Sequence, residues 1–228
     1  LARSLLDHGR YLEPWDPARP PHTQYPPGFP ALLAVAWTLG LRSWAALKLM
    51  MVGLSAVAVG VSYLWMRERT TPATAATLGL LLAVAPGLAG ENQWVLSDIA
   101  FWATTMAALL AFARGRDGWG IGLAFLALAL RTAALPLVVA IIAWMALRRR
   151  WNTAAITLAV LAAIAILWTV RSAGVDGGYV SLFWLENPYE PEAGRIGLVD
   201  LLRRGVENAD RYTFTIFMRT LAGGVGIV

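Results

Sequence analysis

The chain has 228 residues, 58% of them apolar and 14% charged, with eleven tryptophans, a formal net charge of +5 and a mean hydropathy of +0.58. A composition this apolar lies outside the range of soluble domains and points to a membrane protein. The pI near 10.1 does not mark a nucleic-acid binder, because the cations are dispersed at the boundaries of apolar segments, and the absence of cysteine excludes disulfides and thiolate metal sites.

Residues 1–9 have an amphipathic helical pattern that stops at Gly9. No signal peptide is visible in these residues, the sequence does not open on Met, and the apolar residues from Phe214 to Val228 have no basic flank after them. The sequence therefore reads as an excerpt from a longer protein. Next comes Gln24-Tyr25-Pro26-Pro27-Gly28-Phe29-Pro30, followed at once by an apolar run. Consecutive prolines force an extended path, so the chain is expected to run along the interface and enter a helix at Pro30, a favourable first helical position, that ends by Gly40. This helix is too short to span and reads as a juxtamembrane or re-entrant element, with a plain proline-rich linker as the alternative.

The lengths of the apolar runs then give an all-α fold, a polytopic transmembrane bundle with an extracytoplasmic juxtamembrane helix and loops. About 20 residues cross the hydrocarbon core as a helix. Six membrane helices are expected at 44–66, 73–89, 98–113, 119–130, 132–147 and 153–170. Residues 1–43 form a first extracytoplasmic loop, 171–212 a later one, and 213–228 begin a further membrane segment.

Seven of the nineteen basic residues fall in three short breaks between apolar runs, at Arg67 and Arg69, Arg114 and Arg116, and Arg148 to Arg150. Twelve of the fourteen acids lie elsewhere. Arginines in short loops stay cytoplasmic, so the three breaks define one side. That rule decides how the long run 119–147 is read. As one tilted helix it would put the second and third clusters on opposite sides, whereas a hairpin turning near Arg131 and Thr132 keeps them together. The hairpin is preferred, although its first arm is short and no glycine marks the turn.

With this topology the acidic, aromatic and proline-rich segments share the outer face, and two ionisable residues stand out there. Asp98, in Glu91-Asn92-Gln93-Trp94-Val95-Leu96-Ser97-Asp98, begins a helix with Ser97 as its expected cap. Its carboxylate either satisfies free backbone N–H groups or faces a water-filled cavity or a partner. Arg131 interrupts an apolar stretch and is expected to snorkel, to pair with an acid such as Asp98, or to hold an anion such as a lipid phosphate. Interfacial snorkelling also accounts for Lys48 and Arg171, and the segment from Tyr179 through Trp184, Glu186, Asn187 and Pro188 to Tyr189 reads either as aromatic and polar walls for sugars or as ordinary belt residues.

In order, the Leu1-to-Gly9 helix followed by Arg10-Tyr11, the Tyr25-Pro26-Pro27-Gly28-Phe29-Pro30 motif, Ser97-Asp98, and Arg131 ahead of Leu135-Pro136-Leu137 resemble bacterial membrane glycosyltransferases of the C type. These are relatives of the protein mannosyltransferases that use dolichyl-phosphate mannose and of the aminoarabinose transferases that modify lipid A. The resemblance runs across nearly the whole chain but rests on the order of features, no single motif being diagnostic.

It implies an integral protein of the bacterial inner membrane that transfers a sugar, with inversion, from a polyprenyl-phosphate carrier to a lipid, glycan or protein acceptor on the extracytoplasmic face. Membrane lipids are its other partners, and no nucleic acid is. The family's first-loop catalytic carboxylate would lie upstream of Leu1. Asp98 matches a second-loop acid and is the catalytic candidate within this chain. Arg131, Tyr25, Lys48 and Arg171 are candidates for the donor phosphate; Tyr25 stands where some relatives carry a lysine. His22, Glu91 and Tyr189 are candidates for substrate binding. No cofactor and no metal ligand is assigned, and the residues leave a divalent-metal requirement open. A transporter or carrier-lipid flippase and a non-catalytic membrane subunit are the competing classes; no internal repeat of the kind common in transporters is visible.

Overall fold

The computed structural model describes residues 1–173, 184–187 and 190–216. All regular elements among the described residues are helical, accompanied by two isolated bridges, Leu12 with Pro21 and Leu185 with Arg195. The helices are α1 (Ala2–His8), α2 (Gly28–Thr38), α3 (Trp44–Arg67), α4 (Pro72–Ala83), α5 (Pro86–Glu91), α6 (Ser97–Ala113), α7 (Asp117–Leu130), α8 (Leu135–Leu147), α9 (Trp151–Ser172) and α10 (Leu198–Asp210).

Local chemistry explains most of the boundaries. Gly9 closes α1 in the left-handed conformation at φ 62°, which glycine adopts without a steric penalty. Ser43 caps α3 by accepting from the Ala46 N–H, and Thr71 caps α4 through the Thr74 N–H. The expected helix over 73–89 is instead two pieces, because Pro86 has no N–H to donate and disfavours helical geometry at Ala85. Helix α2 starts at Gly28, two residues before Pro30. The expected loop over 171–212 contains α10, and 213–216 complete a π-helical turn that begins at Arg211. The rest of the expected further membrane segment, 217–228, lies outside the described residues.

Two helices, α3 with 24 residues and α9 with 22, are long and apolar enough to cross a membrane. They are poorly covered by the rest of the protein: 28% of the most apolar window of α3 is buried, and 11% of that of α9. A soluble core helix of such hydropathy would be mostly buried. The shorter apolar helices, α2, α4, α6, α7 and α8, fall between 10 and 17 residues.

Helix α3 buries Leu47, Met51, Ser55, Ala58 and Ser62, a stripe at helical spacing. Helices α6 and α7 approach closely through small residues, and at Gly120 an added Cβ would lie 2.6 Å from the Phe112 ring. One core cluster joins Ala108, Ala124, Val138, Ile141, Met145 and Ala154 from α6, α7, α8 and α9. A second joins Phe29, Met51, Ile99, Ala100 and Leu130 from α2, α3, α6 and α7.

The run 117–147 is a hairpin. Arg131 is extended, at φ −157° and ψ 132°, and a 3-10 turn over Thr132–Ala134 leads into α8, with Pro136 in its first turn. An extended residue and a proline at a helix start make the reversal without a positive φ, so no glycine is needed. The Arg150 guanidinium pairs with Asp117, which brings the two ends of the hairpin together. At the same end Glu68 receives Arg114 at 3.1 Å, joining the end of α3 to the end of α6. These two acids are the ones that accompany the arginine clusters, and both are paired with arginines of those clusters.

Candidate functional site

At the other end of the α6–α7 pair, Asp98 lies in the first turn of α6 and Arg131 directly follows α7. Their side chains form an ion pair and remain 42% and 41% exposed, respectively. The neighbours hold this arrangement. Ile99 and Leu130, each next in sequence to a member of the pair, are 3% and 6% exposed in the same core cluster. Buried apolar side chains thus fix the helix ends, and the charged groups project from them. Leu96 occupies the cap position, Ser97 is the first helical residue, and no side chain caps this helix. The expected Ser97 cap is therefore absent, because the helix starts one residue earlier than that role requires.

The Tyr25-Pro26-Pro27-Gly28 segment docks on the end of α7. A Cβ on Gly28 would lie 2.4 Å from the Ala129 carbonyl oxygen and 3.0 Å from the Leu130 nitrogen. Only glycine permits this approach, two residues from Arg131. The prolines deliver a bare backbone to the ion-pair end of the bundle, a steric role that the motif's helix-start pattern does not reveal.

His22 organises the segment before it. The ring is fully buried, with Nδ1 3.0 Å from Glu13 Oε1 and Nε2 accepting the Tyr25 N–H at 3.1 Å. Since a backbone N–H can only donate, Nδ1 carries the proton toward Glu13. Tyr11 and Trp15 meet the ring edge-on at 5.1 and 5.8 Å, and Tyr25 stacks on it at 5.5 Å. Burial pushes the imidazole below its ordinary pKa of 6.5, the Glu13 hydrogen bond and charge oppose the shift, and the α-amino group and Arg171 add to it. With no exposed surface and both nitrogens engaged, His22 braces the loop, in contrast to the direct substrate contact expected of it.

Arg171, at the end of α9, donates through Nη2 to the Tyr11 carbonyl at 2.7 Å and lies 5.8 Å from that ring's centroid. The same carbonyl accepts the His22 N–H at 3.0 Å. The Tyr11 hydroxyl donates to the Tyr25 and Pro26 carbonyls at 3.2 and 3.4 Å. Burial raises the Tyr11 pKa, and the Arg171 charge works against that rise. Arg171 thus ties the first loop to α9, a positional contact that its place at a helix end did not disclose.

Tyr25 is 60% exposed, its backbone held by His22 and Tyr11. Lys48 is exposed one turn into α3, and Glu91 is exposed at the end of α5. Neither belongs to the ion pair, and Tyr189 lies outside the described residues. Asn92, beside Glu91, makes a contact that sequence reasoning missed: the buried Ser55 hydroxyl of α3 donates to its Oδ1 at 2.6 Å. Ser55 occurs at core spacing on α3, the one sequence signal for it. This contact closes one end of an apolar groove of about 650 Å³ between α3, α4 and α5.

The structure thus brings Asp98, Arg131 and the strap carrying Tyr25 to one end of the bundle, with His22 and Arg171 as supports. Among the described residues, no three His, Asp or Glu side chains gather as a metal-binding group. Comparison of the chain with protein families, with curated proteins and with solved structures finds no match.

Proposed function

We propose that the chain is part of a polytopic membrane glycosyltransferase of the C type, which transfers a sugar from a polyprenyl-phosphate carrier to an acceptor on the extracytoplasmic face of a bacterial inner membrane. The observation that carries this reading is the accessible Asp98–Arg131 pair beside the docked proline strap. It lies at the end of α6 and α7 opposite the Arg114 and Arg150 ion pairs. If those arginine turns are cytoplasmic, the Asp98–Arg131 end faces outward. The sparse burial of α3 and α9 supports a lipid environment for both.

In this reading an acceptor hydroxyl or amine attacks the anomeric carbon as the bond from that carbon to the phosphate oxygen breaks. The bonding electrons leave on the carrier phosphate. The acceptor proton passes to a carboxylate base, a role that the family resemblance gives to a first-loop acid. Arg131 balances the charge on the departing phosphate through its planar set of N–H donors. Asp98 orients that guanidinium, and the Tyr25 hydroxyl can donate a further hydrogen bond. Lys48 is held in reserve as a second cation for the carrier phosphate, and Glu91 as a sugar contact.

The test is transfer of labelled sugar from polyprenyl-phosphate donors by the full-length protein and its Asp98→Asn and Arg131→Ala variants. Loss of turnover in both supports the site. Unchanged turnover in both removes the site assignment. Movement of intact donor across the bilayer without cleavage of its sugar–phosphate bond would instead establish a flippase.

A further inference from the structure

Helix α10 takes no part in the core clusters or the candidate site, and it has the sharpest division of character among the helices. At about 100° per residue, Leu198, Val199, Leu202 and Val206 fall on one side, while Asp200, Arg204 and Glu207 fall on the other. The four apolar side chains are 64%, 78%, 64% and 71% exposed.

The polar side has its partners. Asp200 accepts the Gly197 N–H at 3.2 Å, Arg203 lies 3.5 Å from Glu207, and Arg204 donates to the Leu185 and Glu186 carbonyls at 3.3 and 2.8 Å. These contacts leave the apolar side uncovered. A helix of 13 residues is marginal in water by itself, so burial of that side is what would stabilise it.

Several observations identify what covers it. The helix follows α9, whose apolar flanks are among the barest in the protein. Its length, about 20 Å, is too short to cross a hydrocarbon core of about 30 Å, so it can lie along a bilayer but not span one. Tyr212 and Phe214, 61% and 68% exposed, come directly after it, and tyrosine favours the headgroup level. Arg203, 3.5 Å from Glu207, borders the apolar arc, Asp210 lies on the same border between Arg203 and Val199, and Arg211 caps the helix end, where long basic side chains reach lipid phosphates.

We propose that α10 lies in the plane of the membrane interface, with its Leu198–Val206 face in the boundary between headgroups and acyl chains, and with Arg203 and Arg211 against anionic headgroups. The assignment does not depend on the transferase reading.

These 228 residues contain no cysteine, so once any cysteine outside them is replaced by serine, single labels report one position each. Leu202→Cys, Val206→Cys and Glu207→Cys are made in the full-length protein, labelled with an environment-sensitive fluorophore, and reconstituted into phosphatidylethanolamine–phosphatidylglycerol vesicles containing brominated acyl chains. The expected result is loss of fluorescence to the brominated lipid at 202 and 206, and loss to aqueous iodide at 207. Quenching by iodide at all three positions would overturn the proposal in favour of a helix in solution. Protection from both quenchers at 202 and 206 would overturn it in favour of a protein partner. Val206→Cys keeps the test decisive if Leu202→Cys does not fold.

Discussion

Arg150 and Asp117 are thirty-three positions apart in sequence and joined by an ion pair, which closes the α7–α8 hairpin at the end away from Arg131. One continuous helix over this stretch would hold the two residues about 50 Å apart. The pairing places the Arg148–Arg150 turn beside the Arg114–Arg116 turn.

A short bifunctional thiol reagent should therefore link Asp117→Cys to Arg150→Cys in the otherwise cysteine-free chain, as a shift in electrophoretic mobility after proteolysis between the two sites. Absence of the link in folded protein would restore the single tilted helix. The Arg150 side chain is 53% exposed and that of Asp117 20%, so the pair is only partly screened by solvent.

The Asp98–Arg131 pair should behave as a unit. In the proposed transferase, Arg131→Gln is expected to lower turnover about a hundredfold, the scale set by losing one charge-stabilising donor. Asp98→Asn should lower it less, and the double variant should resemble Arg131→Gln alone, because Asp98 acts through the arginine. Independent, multiplying losses in a double-mutant cycle of turnover would rule out that division of roles.

Gly28→Ala should displace the strap, because its new Cβ would meet the Ala129 carbonyl at 2.4 Å, and backbone on both sides gives little room for adjustment. A cost of about 1–3 kcal/mol is expected. Gly53→Ala, where a Cβ meets nothing within 4 Å inside α3, should be neutral or stabilising by up to about 1 kcal/mol. Thermal unfolding of the two variants in detergent makes the comparison, and equal melting points would contradict the docking.

His22 should make the first loop sensitive to acid. Its folded pKa lies below the ordinary 6.5, so its contribution to order is present above that value and lost as pH falls through and below it. Protonation removes the acceptor for the Tyr25 N–H and places a charge among Tyr11, Trp15 and Tyr25; Glu13 softens this, while Arg171 and the α-amino group make it worse. Protection of the residue 1–27 amides from hydrogen exchange, taken relative to the intrinsic exchange rate at each pH, should fall between pH 7.5 and 5 in the parent chain. A His22→Gln variant should lose most of that dependence, and an unchanged pH response would overturn this role for His22.

The elements of this chain were legible in its sequence wherever one local rule dominates. Gly9, the Trp44 start and the Arg67, Arg114 and Arg148 turns follow from helix stops, apolar run length and the placement of basic residues, all of which act over a few neighbours. The reversal at Arg131 was legible for another reason, since the sidedness of arginines constrains even a turn without glycine. The break at Pro86 and the helix at 198–210 were available to the same rules but were outweighed by apolar length in one case and loop composition in the other.

What the linear chain determined, then, is an all-helical, apolar protein with its arginine turns set apart from most of its acids, and two reactive-looking groups at Asp98 and Arg131. Only the tertiary structure joined those two residues, buried His22 as a brace, committed Arg171 to the Tyr11 carbonyl, and gave Gly28 its role against Ala129. The Asp98–Arg131 pair and the Gly28 contact depend on helix ends brought together from distant parts of the chain by the packing of Phe29, Met51, Ile99 and Leu130. Local propensity carries no information about which ends will meet, because that is decided by how the buried faces fit.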